Sequence, residues 1–287
     1  MKCIGIIANC DKERAPAVLR RLSVLAASLK LELLADKATA KLLKRCKTLP
    51  PDRLCDEAEA IIALGGDGTM LSTVRTLAGR DKPVMGVNLG GLGFMTSVAE
   101  EELGRALKCL SSGDFQTSTR AIAEARLFRN GKELAVYRGL NDIVLLSGPP
   151  YGRVVTLDVS VENEAVTSYL CDGLIISTPT GSTGHSMSAG GPILTPDTPA
   201  FVISLICPHT LSSRPLVVPD SSLISIRGVK SVGDMHLSVD GQVGQLFMAG
   251  DCIRVQRSAN GVRFIHLPGY SYFSVLRQKL HWRGSAG

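Results

Sequence analysis

The sequence has few aromatic residues and no basic tract. Aromatic residues make up 5% of the 287 residues and do not alternate with Arg or Lys, which excludes the stacking platform of a single-strand nucleic-acid binder. The net charge of +6 is spread along the chain. A mildly positive field of this kind suits a small anionic substrate as well as it suits a nucleic acid. We therefore expect no nucleic-acid partner.

The eight cysteines are scattered and lack the spacing of a disulfide framework or a metal site. No Cys-x-x-Cys pair occurs, and no histidine lies at ligand spacing from a cysteine. We expect reduced thiols and no metal held by side chains alone. The apolar residues 4–8 are too few for a signal peptide, and no apolar run is long enough to span a bilayer. These features predict a cytoplasmic protein without a membrane partner.

The first 115 residues alternate short apolar runs with helical patterns, which is typical of βαβ units around a parallel sheet. The pattern predicts strands at residues 3–8, 31–34, 60–64 and 84–87. It predicts helices at residues 16–29, 39–46, 70–78 and 100–110. A chain of this length can bury two cores, so we assign residues 1–115 to an N-terminal α/β Rossmann-like domain.

Beyond residue 113 the period of the apolar pattern changes to two, and turn dipeptides follow at short intervals. Asn130-Gly131 separates two apolar runs and predicts a β-hairpin, while Asp240-Gly241 predicts a further turn. The predicted fold class is therefore α+β with two domains, the second being an all-β, sandwich-like domain at residues 116–264. The segment at residues 265–287 is expected to pack back on the first domain.

A glycine-rich loop at residues 65–69, Gly-Gly-Asp-Gly-Thr, follows an apolar run and precedes a helix. Backbone N–H groups at a helix N-terminus attract anions, and glycines permit positive φ and close approach of a phosphate. Asp67 could cap the helix, as could Thr69, but capping leaves the three glycines unexplained. We interpret Asp67 as an acid that takes the proton of an attacking hydroxyl or helps to hold Mg²⁺.

This loop indicates a phosphotransferase. It lacks the Lys-Ser/Thr ending of a P-loop and the spacing of a dinucleotide fingerprint. A second loop, at residues 88–94, follows the next predicted strand, and both loops should open at the same carboxyl edge of the sheet, where ligands bind. Phe94 in this loop could stack on a base or fill the core.

A hydroxyl- and glycine-rich tract at residues 172–192 starts as an apolar strand and returns to apolar residues. Flexible linkers rarely connect apolar segments in this way, so we interpret the tract as a lining for sugar hydroxyls and phosphates. Ser182 lies outside a Gly-x-Ser-x-Gly elbow, which excludes a hydrolase nucleophile. On their own, His185 would be a structural histidine and Asn141-Asp142 a turn or a strand start.

Taken in order, these motifs resemble those of the NAD kinase family from residue 61 to Gln242. Diacylglycerol and sphingosine-type lipid kinases and phosphofructokinases have similar glycine loops. The tract DGLIISTPTGST, followed by SAGGPI, HTLSSRPLVVP and SVDGQ, is far more specific to the NAD kinases. The resemblance implies Mg²⁺-dependent transfer of phosphate from ATP, or another donor, to the 2′-hydroxyl of the adenosine ribose of NAD.

The resemblance also implies a role for each matching residue. Asp67 would remove the proton of the 2′-hydroxyl, and Phe94 would pack on a base. Asn141 and Asp142 would hold ribose hydroxyls, since they combine acceptors with a donor. The other implied contacts with the nucleotides are Gly65, Gly66, Gly68, Thr69, Arg153, Leu170, Asp172, Thr183, Gly184, His185, Ser188 and Gln242.

Four positions depart from the family pattern. The family usually has Ala-Tyr in place of Gly184-His185, and many bacterial members have Arg in place of Leu170. An aromatic wall is thereby replaced by a smaller, titratable imidazole. Asp142 stands in place of the commoner Glu and reaches one methylene less far. The changes at Gly184-His185 and at Leu170 affect the dinucleotide pocket, so the choice between NAD and NADH stays open, while the change at Asp142 is milder.

Two alternatives to a NAD kinase stay open. A lipid kinase of the diacylglycerol type would need a hydrophobic acceptor cleft, against which the hydroxyl-rich residues 177–188 argue. A non-catalytic dinucleotide sensor would not need Asp67. The resemblance further implies a homodimer or homotetramer.

Overall fold

A computed structural model describes residues 1–91, 93–148, 154–231 and 234–282. The chain forms two compact units, of which the second is Arg120–Gly261 and the first combines Met1–Thr119 with the described residues from Val262 onward. Arg153, one of the predicted phosphate contacts, lies outside the described residues. None of the described helices has the length and apolar character that crossing a bilayer requires.

The elements of the N-terminal segment alternate between strands and helices. The strands are β1 (Cys3–Ala8), β2 (Glu32–Ala35), β3 (Lys47–Thr48), β4 (Ala60–Gly65), β5 (Val84–Asn88), β6 (Val98–Ala99) and β7 (Gln116–Arg120). The helices are α1 (Ala15–Ser28), α2 (Lys37–Ala40), α3 (Pro51–Glu57), α4 (Asp67–Leu77) and α5 (Leu103–Ser112), with a 3₁₀ turn at Glu100–Glu102.

The second unit is built mainly of strands. They are β8 (Ala123–Arg129), β9 (Lys132–Gly139), β10 (Asp142–Ser147), β11 (Val155–Val161), β12 (Glu164–Cys171), β13 (Gly173–Ser177), β14 (Ala200–Ile206), β15 (Leu216–Pro219), β16 (Ile224–Ser231), β17 (Met235–Val239), β18 (Val243–Phe247) and β19 (Cys252–Arg257). A 3₁₀ turn (Gly181–Thr183) and the short helix α6 (His185–Ser188) follow β13. The chain then returns to the first unit with β20 (Val262–His266) and α7 (Tyr272–Lys279).

The sheet of the first unit has the order β3-β2-β1-β4-β5-β20-β7, and β6 pairs with β5. Strands β1, β2, β4, β5 and β20 pair in parallel. The order reverses between β1 and β4, and such a switch point leaves a crevice at the carboxyl ends of the strands. This sheet confirms the predicted N-terminal α/β fold, and it places the glycine-rich loop after β4 at the switch point.

Helices cover both faces of this sheet. Ile4 and Ile6 of β1 belong to the same buried cluster as Leu22 of α1. Gly5 faces the other side, because side chains alternate along a strand. There, a Cβ added to Gly5 would lie 2.8 Å from Cδ2 of Leu54 in α3.

The helix predicted at residues 39–46 is wrong. Helix α2 begins where the Asp36 carboxylate accepts the Thr39 N–H at 2.7 Å, and it ends at Ala40. The chain then turns so that β3 can pair in parallel with β2. The apolar spacing had the period of a helix, but it carried no signal that residues 47–48 extend the edge of the sheet. Helix α3, which begins at a proline, was not predicted.

The second unit is a sandwich of two antiparallel sheets, with the orders β15-β14-β13-β10-β17-β18 and β12-β11-β16-β19-β8-β9. Buried side chains of both sheets form one core, to which β14 contributes Phe201 and β19 contributes Ile253. This arrangement confirms the predicted all-β, sandwich-like fold. The turns at Asn130-Gly131 and Asp240-Gly241 connect antiparallel neighbours with positive φ at both residues, as the dipeptides predict.

Candidate active site

The glycine-rich loop connects β4 to α4. Gly66 is the N-cap of α4 and Asp67 is the first residue of the helix. Thr69 Oγ1 accepts the Gly66 N–H at 3.4 Å, which closes the turn. Asp67 is therefore not the cap, and its half-buried carboxylate lies in the first helical turn, where the helix dipole favours negative charge.

The glycines of this loop act through the space they leave, and not through positive φ as the sequence predicts. Gly66 has a φ of −131°, and Gly65 and Gly68 also lie outside the positive-φ region. A Cβ on Gly65 would overlap Thr69 Oγ1, so the closed turn requires glycine there. A Cβ on Gly66 or Gly68 would meet nothing within 4 Å. The backbone at these two glycines is thus open to a ligand.

The Asp67 carboxylate ties α4 to the loop that follows β5. Its Oδ2 accepts the Phe94 N–H at 2.9 Å, and its Oδ1 accepts the Met95 N–H at 3.0 Å. A Cβ on Gly93 would overlap both Asp67 Oδ1 and Thr96 Oγ1, so glycine permits this approach. A carboxylate offers about four lone-pair sites, and two N–H donors leave room for a substrate hydroxyl.

Asn88, at the end of β5, holds the same loop from within. Its buried Nδ2 donates to Gly91 O and to Thr96 Oγ1, both at 2.7 Å. The loop that carries Phe94 is therefore fixed by an amide on one side and a carboxylate on the other. Phe94 itself is half-buried, and Lys279 Nζ of α7 lies 5.4 Å from its ring centroid. An ammonium group at this distance is attracted by the ring face. The packing of Phe94 on a base stays a prediction.

In the second unit, Asn141 and Asp142 lie at the start of β10. Asn141 Oδ1 is buried and has no hydrogen-bond partner. Asp142 is also buried, and burial, followed by the charge of Asp240, raises the pKa of Asp142 to about 7. An unpaired buried acceptor costs free energy until a donor reaches it. The pair is therefore suited to receive hydroxyl groups.

The hydroxyl-rich tract packs against the backbone of the same segment. Thr178 donates its N–H to Asn141 O at 2.9 Å and its hydroxyl to Leu140 O at 2.5 Å. A Cβ on Gly181 would overlap the Asn141 carbonyl, so glycine permits the contact. Thr180 Oγ1 is a second buried acceptor without a partner. The tract is thus an ordered part of the second unit and not a linker.

The remaining residues of the tract surround α6. Thr183 is buried and donates its hydroxyl to Thr180 O at 3.4 Å. Gly184 is the N-cap of α6, on which His185 and Ser188 are exposed. Predicted contacts in this tract therefore include both a buried hydroxyl and exposed side chains.

Asp172 immediately precedes β13, at the end of that strand far from Asn141, and Leu170 lies two positions earlier in β12. Asp172 and Ser177 are five positions apart, and Ser177 pairs with Asp142 across the sheet, so the span is roughly 17 Å. His209 Nε2 lies 3.9 Å from Asp172 Oδ1, and the His209 N–H donates to Leu170 O at 2.8 Å. The structure thus does not bring Asp172 to the Asn141 end, and one ligand would have to be extended to reach both.

Gln242 is exposed and follows the turn between β17 and β18. In that turn, the Asp240 carboxylate accepts backbone N–H groups of residues 140–142. Sequence reasoning interpreted Asp240 only as a turn residue, because its partners lie about a hundred positions away. It named the loop at residues 88–94 and the motif that contains His209, but it gave no role to Asn88, Gly93 or His209 individually.

The described residues contain no group of three or more His, Cys, Asp or Glu side chains that could hold a metal. Mg²⁺ in kinases is usually bound by one or two carboxylates together with phosphates and water. A single carboxylate at Asp67, next to open glycine backbone, fits a Mg²⁺ that arrives with a nucleotide and does not fit a cage of side chains.

An aspartate-bearing glycine loop at the switch point of a doubly wound α/β unit fits one class of protein, the phosphotransferases. Comparison with known families specifies it further. The ATP-NAD kinase N-terminal domain matches residues 4–115, and the ATP-NAD kinase C-terminal domain matches residues 140–267. The chain belongs to the NAD kinase family, and it is a kinase. This confirms the predicted family and enzyme class.

Individual relatives support the same family assignment. The NAD kinase of Syntrophotalea carbinolica is 40% identical over 284 residues, covering 98% of this chain and 99% of the relative. That of Geobacter sulfurreducens is 39% identical, with the same coverage of both chains. No comparison supports the lipid kinase alternative.

Two solved structures share the fold. The yeast NADH kinase, crystallised with NADH, has a TM-score of 0.92 at 26% identity and covers all of this chain and 89% of its own. The NAD kinase of Archaeoglobus fulgidus in complex with ATP has a TM-score of 0.77 at 24% identity and covers 99% of this chain and 100% of its own.

Proposed function

We propose that the protein transfers the γ-phosphoryl group of ATP to the 2′-hydroxyl of the adenosine ribose of NAD, forming NADP. The observation that carries this proposal is the Asp67 carboxylate, held in the first turn of α4 beside the open backbone of Gly66 and Gly68. Such a site can receive phosphate beside the open loop backbone and a hydroxyl at the carboxylate. Family membership supplies the identity of both substrates.

Asp67 acts as the proton acceptor in this proposal. As the 2′-hydroxyl oxygen attacks the γ-phosphorus, its proton passes to a carboxylate oxygen, and the bond from phosphorus to the bridging oxygen of ADP breaks. The N–H groups of Phe94 and Met95 hold the carboxylate in one orientation throughout. Mg²⁺ bound to the nucleotide phosphates would neutralise their charge.

The loop residues Gly65, Gly66, Gly68 and Thr69 are assigned to the ATP phosphates. The N–H groups of Gly66 and Thr69 already donate within the turn, to Thr69 Oγ1 and Gly66 O. Asn141 and Asp142 receive ribose hydroxyls, which the unpaired Asn141 Oδ1 supports. Phe94 packs on a base of the substrate. The assigned lining of the dinucleotide is Leu170, Asp172, Thr183, Gly184, His185, Ser188 and Gln242, and Arg153 is assigned to a phosphate.

The decisive experiment incubates the pure protein with MgATP and, in parallel, NAD, NADH or a diacylglycerol. We expect NADP from NAD, no phosphorylated lipid, and loss of product when EDTA removes Mg²⁺. The NADH reaction measures the preference that His185 and Leu170 leave open. Absence of both NADP and NADPH would overturn the proposal.

Two further properties follow from family membership. We propose a homodimer or homotetramer, which light scattering coupled to gel filtration would measure directly. We also propose a cytoplasmic location, in accord with free thiols at all eight cysteines.

A further inference from the structure

We propose that Asp240 is a positioning residue, whose carboxylate sets the Asn141–Asp142 segment in the geometry that binds the ribose of the dinucleotide. This inference rests on the proposed function. It goes further by giving a task to a residue whose sequence context indicates only a hairpin turn.

The carboxylate of Asp240 accepts three consecutive backbone N–H groups. Oδ2 accepts that of Leu140 at 3.0 Å, and Oδ1 accepts those of Asn141 at 2.7 Å and Asp142 at 3.2 Å. The Asp240 N–H in turn donates to Asp142 O at 3.0 Å. Hydrogen bonds from N–H groups to a charged acceptor are stronger than bonds between neutral groups. The Asp240 carboxylate therefore holds the backbone of residues 140–142 firmly.

The other side of the same backbone is held by the hydroxyl-rich tract. Leu140 O and Asn141 O accept from Thr178, while Asp240 takes the N–H groups. Both donors and acceptors of the segment are therefore engaged, and the segment has little freedom to rotate. Its orientation decides where the side chain of Asn141 points.

That orientation leaves Asn141 Oδ1 buried and without a partner. Pairing this atom with a ribose hydroxyl would break no existing hydrogen bond, although the atom is closed to solvent in this structure. Asp240 is also the second cause, after burial, of the raised pKa of Asp142. Its charge therefore influences the adjoining side chain as well as the backbone.

The turn itself does not require a carboxylate. Asp240 and Gly241 have φ of 54° and 63°, and Asn-Gly suits such a turn as well as Asp-Gly does. Asp240→Asn therefore preserves the turn and replaces one acceptor oxygen by an amide that can only donate. With the remaining oxygen placed on the Asn141 and Asp142 N–H groups, that amide would face the Leu140 N–H.

The test compares Asp240→Asn with Asn130→Asp. Asn130-Gly131 forms the equivalent turn between β8 and β9, with φ of 51° and 76°, so the control makes the reverse exchange outside the assigned site. We expect Asp240→Asn to raise KM for NAD roughly tenfold, the effect of one buried donor left unpaired, with KM for ATP unchanged. Hydrogen exchange of the amides at residues 140–142 should accelerate in the variant without ligand.

A KM for NAD equal to that of the parent, or an equal rise in Asn130→Asp, would overturn the inference. So would unchanged exchange at residues 140–142. If Asp240→Asn does not fold, Asp240→Ser, which keeps one hydroxyl acceptor, is measured against the same expectations. The exchange experiment needs no turnover, so it tests the positioning role even if the parent forms no NADP, a result that would defeat only the proposed function.

Discussion

The carboxylate of Asp67 accepts the backbone N–H of Phe94 at 2.9 Å, across 27 positions of the sequence. The side chain proposed to take the substrate proton is thus also the anchor of the loop that follows β5. Two tasks for one carboxylate mean that substitutions of Asp67 affect both the reaction and the local structure. Variants of neighbouring residues can separate the two effects.

Asp67→Asn should reduce kcat for NADP formation by roughly 10²- to 10⁴-fold, since the amide cannot accept the hydroxyl proton. It should also destabilise the first unit by about 1–3 kcal/mol, because its NH₂ group faces an N–H donor. Steady-state kinetics and urea unfolding measure the two effects. Product formation undiminished in this variant would refute the role of proton acceptor.

Gly93→Ala should disturb the anchor while it keeps the acid. The added Cβ would overlap Asp67 Oδ1 and Thr96 Oγ1, so the loop has to shift and both stability and kcat should fall. The loss of stability should reach about 1–3 kcal/mol, as for overpacked sites. Gly104→Ala is the control, because its Cβ meets Leu25 only at 3.9 Å. Equal unfolding curves for the two variants would show that the approach of Gly93 to Asp67 is not needed.

Gly68→Ala, unlike Gly93→Ala, should leave the stability nearly unchanged and should impair the binding of ATP. Its Cβ meets no protein atom within 4 Å, so the free energy of unfolding should stay within about 1 kcal/mol of the parent. The methyl group would occupy space assigned to the ATP phosphates, and KM for ATP should rise. Kinetics with ATP varied at saturating NAD measure this effect. A variant with unchanged KM for ATP would place the nucleotide elsewhere.

Asp142 should make stability depend on pH. Its pKa is raised from 3.8 to about 7 by burial and by Asp240, so the folded protein keeps this proton to higher pH than the unfolded chain. The resulting stability is complete below about pH 4 and is lost as the pH rises through about 7. Asp142→Asn has no carboxyl group to titrate at this position. Between about pH 4 and pH 7, its free energy of unfolding should therefore rise relative to that of the parent. Parallel pH profiles for the two proteins would contradict the shift.

His185→Tyr restores the aromatic residue that the family usually has. A ring that stacks on the dinucleotide contributes about 0.5–1.5 kcal/mol, so KM for NAD should fall roughly two- to tenfold. Separate measurements with NAD and NADH would show whether this position affects the choice between them. Val166→Tyr, on an exposed position of β12, controls for a surface aromatic residue. Unchanged KM values for both dinucleotides would remove His185 from the pocket.

Local patterns predicted most of the fold correctly. The alternation of apolar runs and helices indicated the parallel sheet, and Asn130-Gly131 indicated its hairpin, because both depend on residues close in sequence. The helix predicted at residues 39–46 was wrong because β3 forms by pairing with β2, a contact that apolar spacing does not encode. The positive φ predicted at the glycine loop was also wrong. Gly65 is required because the Thr69 side chain packs against it, a contact that exists only in the folded loop.

The sequence by itself determined the family, the two-domain α+β class and the identity of Asp67 and Asn141 as candidates, because these depend on motifs read in order. Tertiary structure alone decided that Asp67 anchors the loop of Phe94 and that Asp240 holds residues 140–142. The physical reason is that hydrogen bonds between segments many positions apart arise only when a sheet edge or a hairpin brings the chain together. No spacing within either segment records such a bond.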